Sequence, residues 1–300
     1  DYNLAEDTTW AQAGFSLGAT HFILPAQIET PEDPRPSTKG LGPLTQEEDA
    51  RCIHSQFGDG HWLLDKTEGT LTSWNIHNVE LLNLGPQFQI WRAPTHNDKF
   101  IEPEWRNNHL HLFQERVDSV KSEQVDDETL RVTVYTYAAP PSFTFGFHIV
   151  YDYMLFNNGE LALQTHGKPF GKFPSYIPRI GVQMRLPRDF EHVTWFGKGP
   201  GENYPDSQQA ALPGTYTRTV QELFTPYVVP QENGERMDVR KLTCQDNMGN
   251  GLEIRGDPVF HFQASRYATE DITAAQHTCE LVERDSVFLS LATALTGIGS

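Results

Sequence analysis

Residues 143–167 read "FTFGFHIVYDYMLFNNGELALQTHG". Two runs of aromatic and aliphatic residues flank Asn157-Asn158-Gly159, and Asn and Gly both accept positive φ. The stretch predicts two strands joined by a hairpin, the local unit of an antiparallel sheet. Outward from it the same texture recurs. "HWLLDKTEGTLTSWNI" (61–76) predicts two short strands around a Glu68-Gly69 turn, and "LRVTVYTYA" (130–138) alternates as a half-buried strand does. "IGVQMRLP" (180–187), "VFHFQASRY" (259–267) and "SVFLSLATAL" (286–295) continue the pattern. Only 102–116 and 269–280 suggest helix, the second capped by Thr269 with Glu270 and Asp271 complementing its dipole. Many strands, frequent turns and little helix predict an all-β chain built as a large antiparallel sandwich.

The 300 residues suffice for one large β domain or two smaller ones, and 38% hydrophobic content with 11% aromatics supports a packed core. A net charge of −17 argues against nucleic acid and anionic membranes, which need a cationic face. It says little about neutral partners such as sugars. Cys52, Cys244 and Cys279 are too few and too scattered for a disulfide framework or a zinc site, and read as buried thiols. There is no signal-like segment, no long apolar run and no Asn-x-Ser/Thr sequon. With Asp1 rather than Met at its start, the chain reads as a cytoplasmic piece of a longer polypeptide. Residues 26–55 begin "AQIETPEDPRPSTKGLGPLTQEEDA", a Pro- and acid-rich linker composition.

Three polar islands interrupt the β background. "WRAPTHNDKF" (91–100) crowds charged and amide side chains behind a proline. "WFGKGPGENYPD" (195–206) has glycines at 197, 199 and 201, which invites comparison with a phosphate-cradling loop. Pro200 and Pro205 follow at once, no helical stripe succeeds them, and a phosphate site needs a helix N-terminus there. "TPYVVPQENGERMDVRKL" (225–242) repeats a Glu-Asn pair at Glu232-Asn233 and adds Arg236, Asp238 and Arg240. Both Glu-Asn pairs read as groups that satisfy buried backbone and bridge strand ends, with the glycines allowing tight backbone paths. His109 and His111 stand two apart without adjacent carboxylates in a metal pattern, and no Gly-x-Ser-x-Gly elbow anchors a hydrolase triad.

Taken in order, "WRAPTHND", "WFGKGPGENYPD", "TPYVVPQENGER" and "GIGS" resemble the C-terminal, small-chain-like domain of the large bacterial-type β-galactosidases of glycoside hydrolase family 2. "WAQAGFSLGATHFILP" (10–25) resembles the closing strands of the immunoglobulin-like domain before it. The resemblance implies residues 1–25 as the end of that domain and 56–300 as a supersandwich of the galactose mutarotase-like kind. It implies hydrolysis of terminal β-D-galactosides with retention, by two glutamates on a TIM barrel upstream. Mg and Na ions would belong to that barrel, with no cofactor and no metal on this chain. The implied partners are the barrel domain or a large subunit, a β-galactoside, and further copies of the full enzyme, with no nucleic acid and no membrane. The substrate-proximal candidates are Asn97, Asp98, Lys99, Phe100 and Ile101, and Gly299 and Ser300, which lead toward a sugar platform. Compared with the bacterial form, the first of these loops is shorter and lacks a glycine after Asn-Asp. Arg92, Glu202, Asn203, Tyr204, Asp206, Glu232, Asn233 and Arg236 are the structural set, with Arg92 and Arg236 as partners of buried carboxylates.

Two rival readings differ in class. A stand-alone aldose mutarotase needs an acid and a base across a sugar ring, for which His96, His148 or His166 and Glu202 or Glu232 are candidates. A carbohydrate-binding module needs exposed aromatic faces, and Trp62, Trp74, Trp91, Trp105 and Trp195 mostly sit in apolar runs that read as core.

Overall fold

The computed structural model describes residues 1–22 and 40–299. The hairpin at 143–167 forms as predicted: Gly146–Phe156 pairs with Leu161–Phe170, and Gly159 takes φ +86° in the turn. Thr129–Ala139 lies on the other side of Gly146–Phe156, and Gln114–Asp126 completes a four-stranded antiparallel meander. Period-2 alternation places Val132 opposite Tyr153 and Val134 opposite Tyr151, all buried.

A second meander of five strands runs Leu44–Glu48, Cys52–Phe57, Gly60–Asp65, Thr70–Ile76 and Val79–Glu80. Residues 44–55, whose composition reads as linker, are thus folded into this sheet. The linker residues 26–39, and residues 23–25 of the opening stretch, lie outside the described residues. The largest sheet has seven strands, in the spatial order Leu212–Thr219, His192–Gly199, Arg236–Gln245, Gly251–Ser265, Val287–Leu295, Arg179–Leu186 and Leu84–Gln89. Every pairing is antiparallel. Trp62, Leu64 and Leu71 from the five strands, Val132 and Tyr151 from the four, and Trp195, Leu242, Phe262 and Leu289 from the seven share one core. The fold is an all-β sandwich. Residues 1–22 hold a short ladder, Tyr2–Asn3 against Ser16–Gly18.

The helical stretches are shorter than the sequence suggests. Of 102–116 only Glu102–Asn107 is α-helical, and His109 at φ +53° ends it. From Gln114 the chain is already a strand, whose mostly exposed, charged residues hide its β character from an apolar-pattern reading. Thr269–Ala274 is helical, but the cap position falls on Ala268, whose N–H donates to Asp271. Thr269 is the first helical residue instead. Of the cysteines only Cys244 is buried, with its thiol pushed up to about 12 by burial; Cys52 is partly covered and Cys279 is exposed. No helix among the described residues is long and apolar enough to cross a membrane.

A Cβ at Gly159 would stand 2.5 Å from Ile76 Cδ1 in addition to straining a left-handed φ. Gly159→Ala is expected to cost about 1–3 kcal/mol of stability, read as a lower thermal midpoint. An unchanged midpoint would mean the turn is not held where the two meanders meet.

Candidate functional site

Strand Leu84–Gln89 runs into a buried Ile90-Trp91-Arg92 and then turns at Pro94. A 3₁₀ turn, His96–Phe100, follows. Asp98 folds back beneath it and accepts from the Thr95 N–H at 2.7 Å and the Thr95 hydroxyl at 3.0 Å. Arg92 grips both Asp98 oxygens, at 2.7 and 3.1 Å, with side-chain exposures of 0% and 4%. Such a two-pronged pair fixes direction as well as charge. Arg92 also reaches the Thr296 hydroxyl at 2.9 Å and the Gly297 carbonyl at 3.1 Å, and stacks over Trp105. Asp98 is therefore a buried anchor of the loop. Its neighbours are the exposed ones: His96, Asn97, Lys99 and Phe100, with Phe100 81% exposed and the Lys99 ammonium over its ring. Ile101 is half-buried and closes the turn through its N–H to the Asp98 carbonyl at 2.8 Å.

The side chains of the second island are engaged in internal hydrogen bonds. Glu202 accepts from the Tyr227 hydroxyl and, at 2.6 Å, from the Gly234 N–H, so it braces the third island. Burial, then this bond to a carboxylate, pushes the Tyr227 phenol up to about 12. Asn203 is fully buried: its N–H donates to the Glu235 carbonyl, its amide donates to Gly201, and its side-chain oxygen accepts from Met237 N–H. Tyr204 is buried beside it, and its hydroxyl accepts the Glu235 N–H. Asn233 cross-links the third island through Thr225 N–H and the Gln231 carbonyl. Gly197 and Gly199 allow the close approach the sequence implies, since a Cβ there would meet Val239 Cα at 2.8 Å and the Tyr216 ring at 2.8 Å. Gly201 has open space instead.

Arg236 departs from expectation. Among the described residues it pairs with no carboxylate, donating instead to the Gly234, Leu223 and Pro200 carbonyls while lying over Trp195. The buried glutamates of this island, Glu232 and Glu235, belong to Arg179, which the sequence reading passed over. One Arg179 nitrogen holds Glu232 and Glu235, each at 2.7 Å, and the other reaches Gln89 and Gln263. Side-chain exposure of the three is 0%, 2% and 0%. Burial raises Glu232 and takes Glu235 from 4.5 up to about 7, against the pull of the guanidinium. Glu235 lies inside the quoted "ENGER", but nothing in local spacing separates it from a solvated acid.

These islands converge. Asn97 donates to the Ile298 carbonyl at 2.7 Å, His96 N–H to Gln231, and Ile298 and Gly299 N–H to Asp206. Ser300 lies outside the described residues. His148 and His166 do not join them: they sit, exposed, on the four-stranded sheet, while Glu202 and Glu232 belong to loops of the seven-stranded one. Trp62, Trp91, Trp105 and Trp195 are buried and Trp74 is half-buried, so none offers an open face to a sugar. Among the described residues no three His, Cys, Asp or Glu side chains are grouped as metal ligands.

The architecture is that of an all-β sandwich domain whose loops are held in place by buried ion pairs. The sequence model of the family described as "Beta galactosidase small chain" matches residues 56–300, and the chain belongs to that family. It is 30% identical to the β-galactosidase of Priestia megaterium (strain DSM 319 / IMG 1521), over 99% of this chain and 28% of that protein. It is likewise 30% identical to that of Vibrio vulnificus (strain YJ016), over 100% and 29%, and to that of Kluyveromyces lactis, over 98% and 28%. The chain thus spans between a quarter and a third of the length of these curated relatives. The crystal structure of HI1317 superposes with a TM-score of 0.34 at 10% identity, over 86% of this chain and 96% of that one, too slight a likeness to carry an argument.

Asp98→Ala would leave the Arg92 charge buried and uncompensated, with an expected loss of about 3–5 kcal/mol in denaturant unfolding. A loss below about 1 kcal/mol would place the pair in the range of exposed ion pairs. Glu235 gives a second expectation. Its folded form holds a proton more tightly than the unfolded chain, so its contribution is fully present below pH 4.5 and is lost as pH rises through about 7. Glu235→Gln removes that dependence. The difference in thermal midpoint, variant minus parent, should therefore increase between pH 5 and pH 8, and a constant difference would contradict the raised value.

Proposed function

We propose that this chain is the part of a β-galactosidase that completes and stiffens the sugar pocket while the catalytic glutamates lie upstream. The observation that carries this reading is the meeting of the His96–Phe100 turn with Thr296–Gly299, fastened by Asn97 and by the Arg92–Asp98 pair. The two segments that the family resemblance points toward substrate are neighbours here, on a rigid base. Placing binding groups on such a base is what recognition of a small ligand requires. The substrate class is a terminal β-D-galactoside, the enzyme is retaining and of glycoside hydrolase family 2, and its Mg and Na ions belong with the upstream barrel.

The chain's own carboxylates argue for this division of labour. Retention needs two carboxyl groups about 5 Å apart across an accessible glycosidic bond. Glu232 and Glu235 share one Arg179 nitrogen, but they are buried under Asn203, Tyr204 and Gln263, where no sugar reaches. Proximity alone does not make them an acid and a nucleophile. The resident chemistry of this chain is positioning.

The test is hydrolysis of a chromogenic β-galactoside by this chain alone, by the separately made upstream portion, and by the two mixed. Activity confined to the mixture is expected. In the mixture Phe100→Ala should raise KM with little change in thermal midpoint, because its side chain is exposed. Turnover by this chain alone would overturn the reading.

A further inference from the structure

The segment Thr296–Gly299 leaves strand Val287–Leu295 and has no ladder of its own, yet it is held from three sides. Thr296 N–H donates to the Pro178 carbonyl while Arg92 donates to the Thr296 hydroxyl and the Gly297 carbonyl. Asn97 donates to the Ile298 carbonyl. Asp206 accepts both following N–H groups, Ile298 at 3.1 Å and Gly299 at 2.7 Å, one on each oxygen. A Cβ at Gly297 would lie 2.4 Å from the Asp206 carboxyl carbon, so the carboxylate is seated directly on the segment's backbone. Asp206 is exposed and forms no ion pair among the described residues. Its capacity goes to two consecutive amides, bonds strengthened by its charge.

We infer that Asp206 and Asn97 are positioning residues for sugar binding. Asp206 sets the path of Thr296–Gly299, Asn97 locks that segment to the His96–Phe100 turn, and the two approach the substrate as one unit. This rests on the pocket-completing reading above. The turn has a buried anchor in Asp98, and its other outward tie is the backbone bond from His96 to Gln231. Arg92 joins the two at their buried base, through Asp98 on one side and Thr296 and Gly297 on the other; without Asn97 their exposed ends, residues 97–100 and 298–299, would move independently. A ligand that needs both in place would then meet the competent arrangement less often and bind more weakly by that fraction.

The experiment uses the full β-galactosidase polypeptide that carries this chain, with Asp206→Asn, Asn97→Ala and the two combined. Asp206→Asn keeps the shape and one acceptor oxygen. The readouts are KM and kcat on a chromogenic β-galactoside, and the thermal midpoint. Each single change is expected to raise KM roughly two- to tenfold, the range of one lost hydrogen bond, with kcat less affected and the midpoint unchanged. The combined variant should be no worse than the poorer single one, because breaking either tie releases the same unit. Unchanged KM in both single variants, multiplying effects, or a rise in KM that appears only with a fallen midpoint would each overturn the inference. Phe100→Ala separates it from the reading beneath: if that variant raises KM and these do not, the inference falls and the pocket reading stands. If KM is unmoved in all of them, both fall.

Discussion

One guanidinium facing two carboxylates out of reach of water governs this structure. Removing charges from solvent costs several kcal/mol each, and the attraction between them offsets this only when geometry is tightly matched. Arg179 meets that condition by bringing strand Arg179–Leu186, residues 231–235 and Gln263 of strand Gly251–Ser265 to a common point. Asn203 and Glu202 then tie residues 201–206 to the same loop by backbone bonds. Loops without a ladder of their own are held by buried polar chemistry, and so can present exposed side chains at defined positions.

Arg92 and Asp98 repeat the device at the edge of the sandwich with a different balance. There the pairing is one to one and bidentate, and it meets the 296–297 carbonyl and hydroxyl as well. Around Arg179 the negative charge is in excess, and burial raises both glutamates. The two carboxylates that share Arg179 are sealed from solvent, while the exposed groups at 97–100 are an amide, an ammonium and a phenyl ring.

Strands whose side chains alternate between core and solvent were legible, because hydrophobic burial writes its period into the sequence. Thr129–Ala139 and the hairpin at Asn157–Gly159 are examples. Gln114–Asp126 was not, since an edge strand of mostly exposed, charged residues, with only Val117 and Val120 packed against the core, carries no clear apolar period. The polar islands were legible as places, and the structure gives Glu202, Asn203, Tyr204 and Arg92 internal hydrogen bonds. Their partners were not legible. Arg236 and Arg179 look alike in sequence, yet one meets carbonyls up to 36 residues away and the other carboxylates 53 and 56 residues away.

By itself the sequence determined the all-β class, the hairpins and the three islands. These follow from local physics: side-chain periodicity, the φ tolerance of Asn and Gly, and the intolerance of Pro for helix. Only the tertiary structure decided that Asp98 is an anchor, that Arg179 bears the buried charge, and that residues 96–100 meet residues 296–299. Those outcomes depend on which distant groups share a volume without water, where an unpaired charge is costly and a paired one is directional. Local spacing carries no record of that volume.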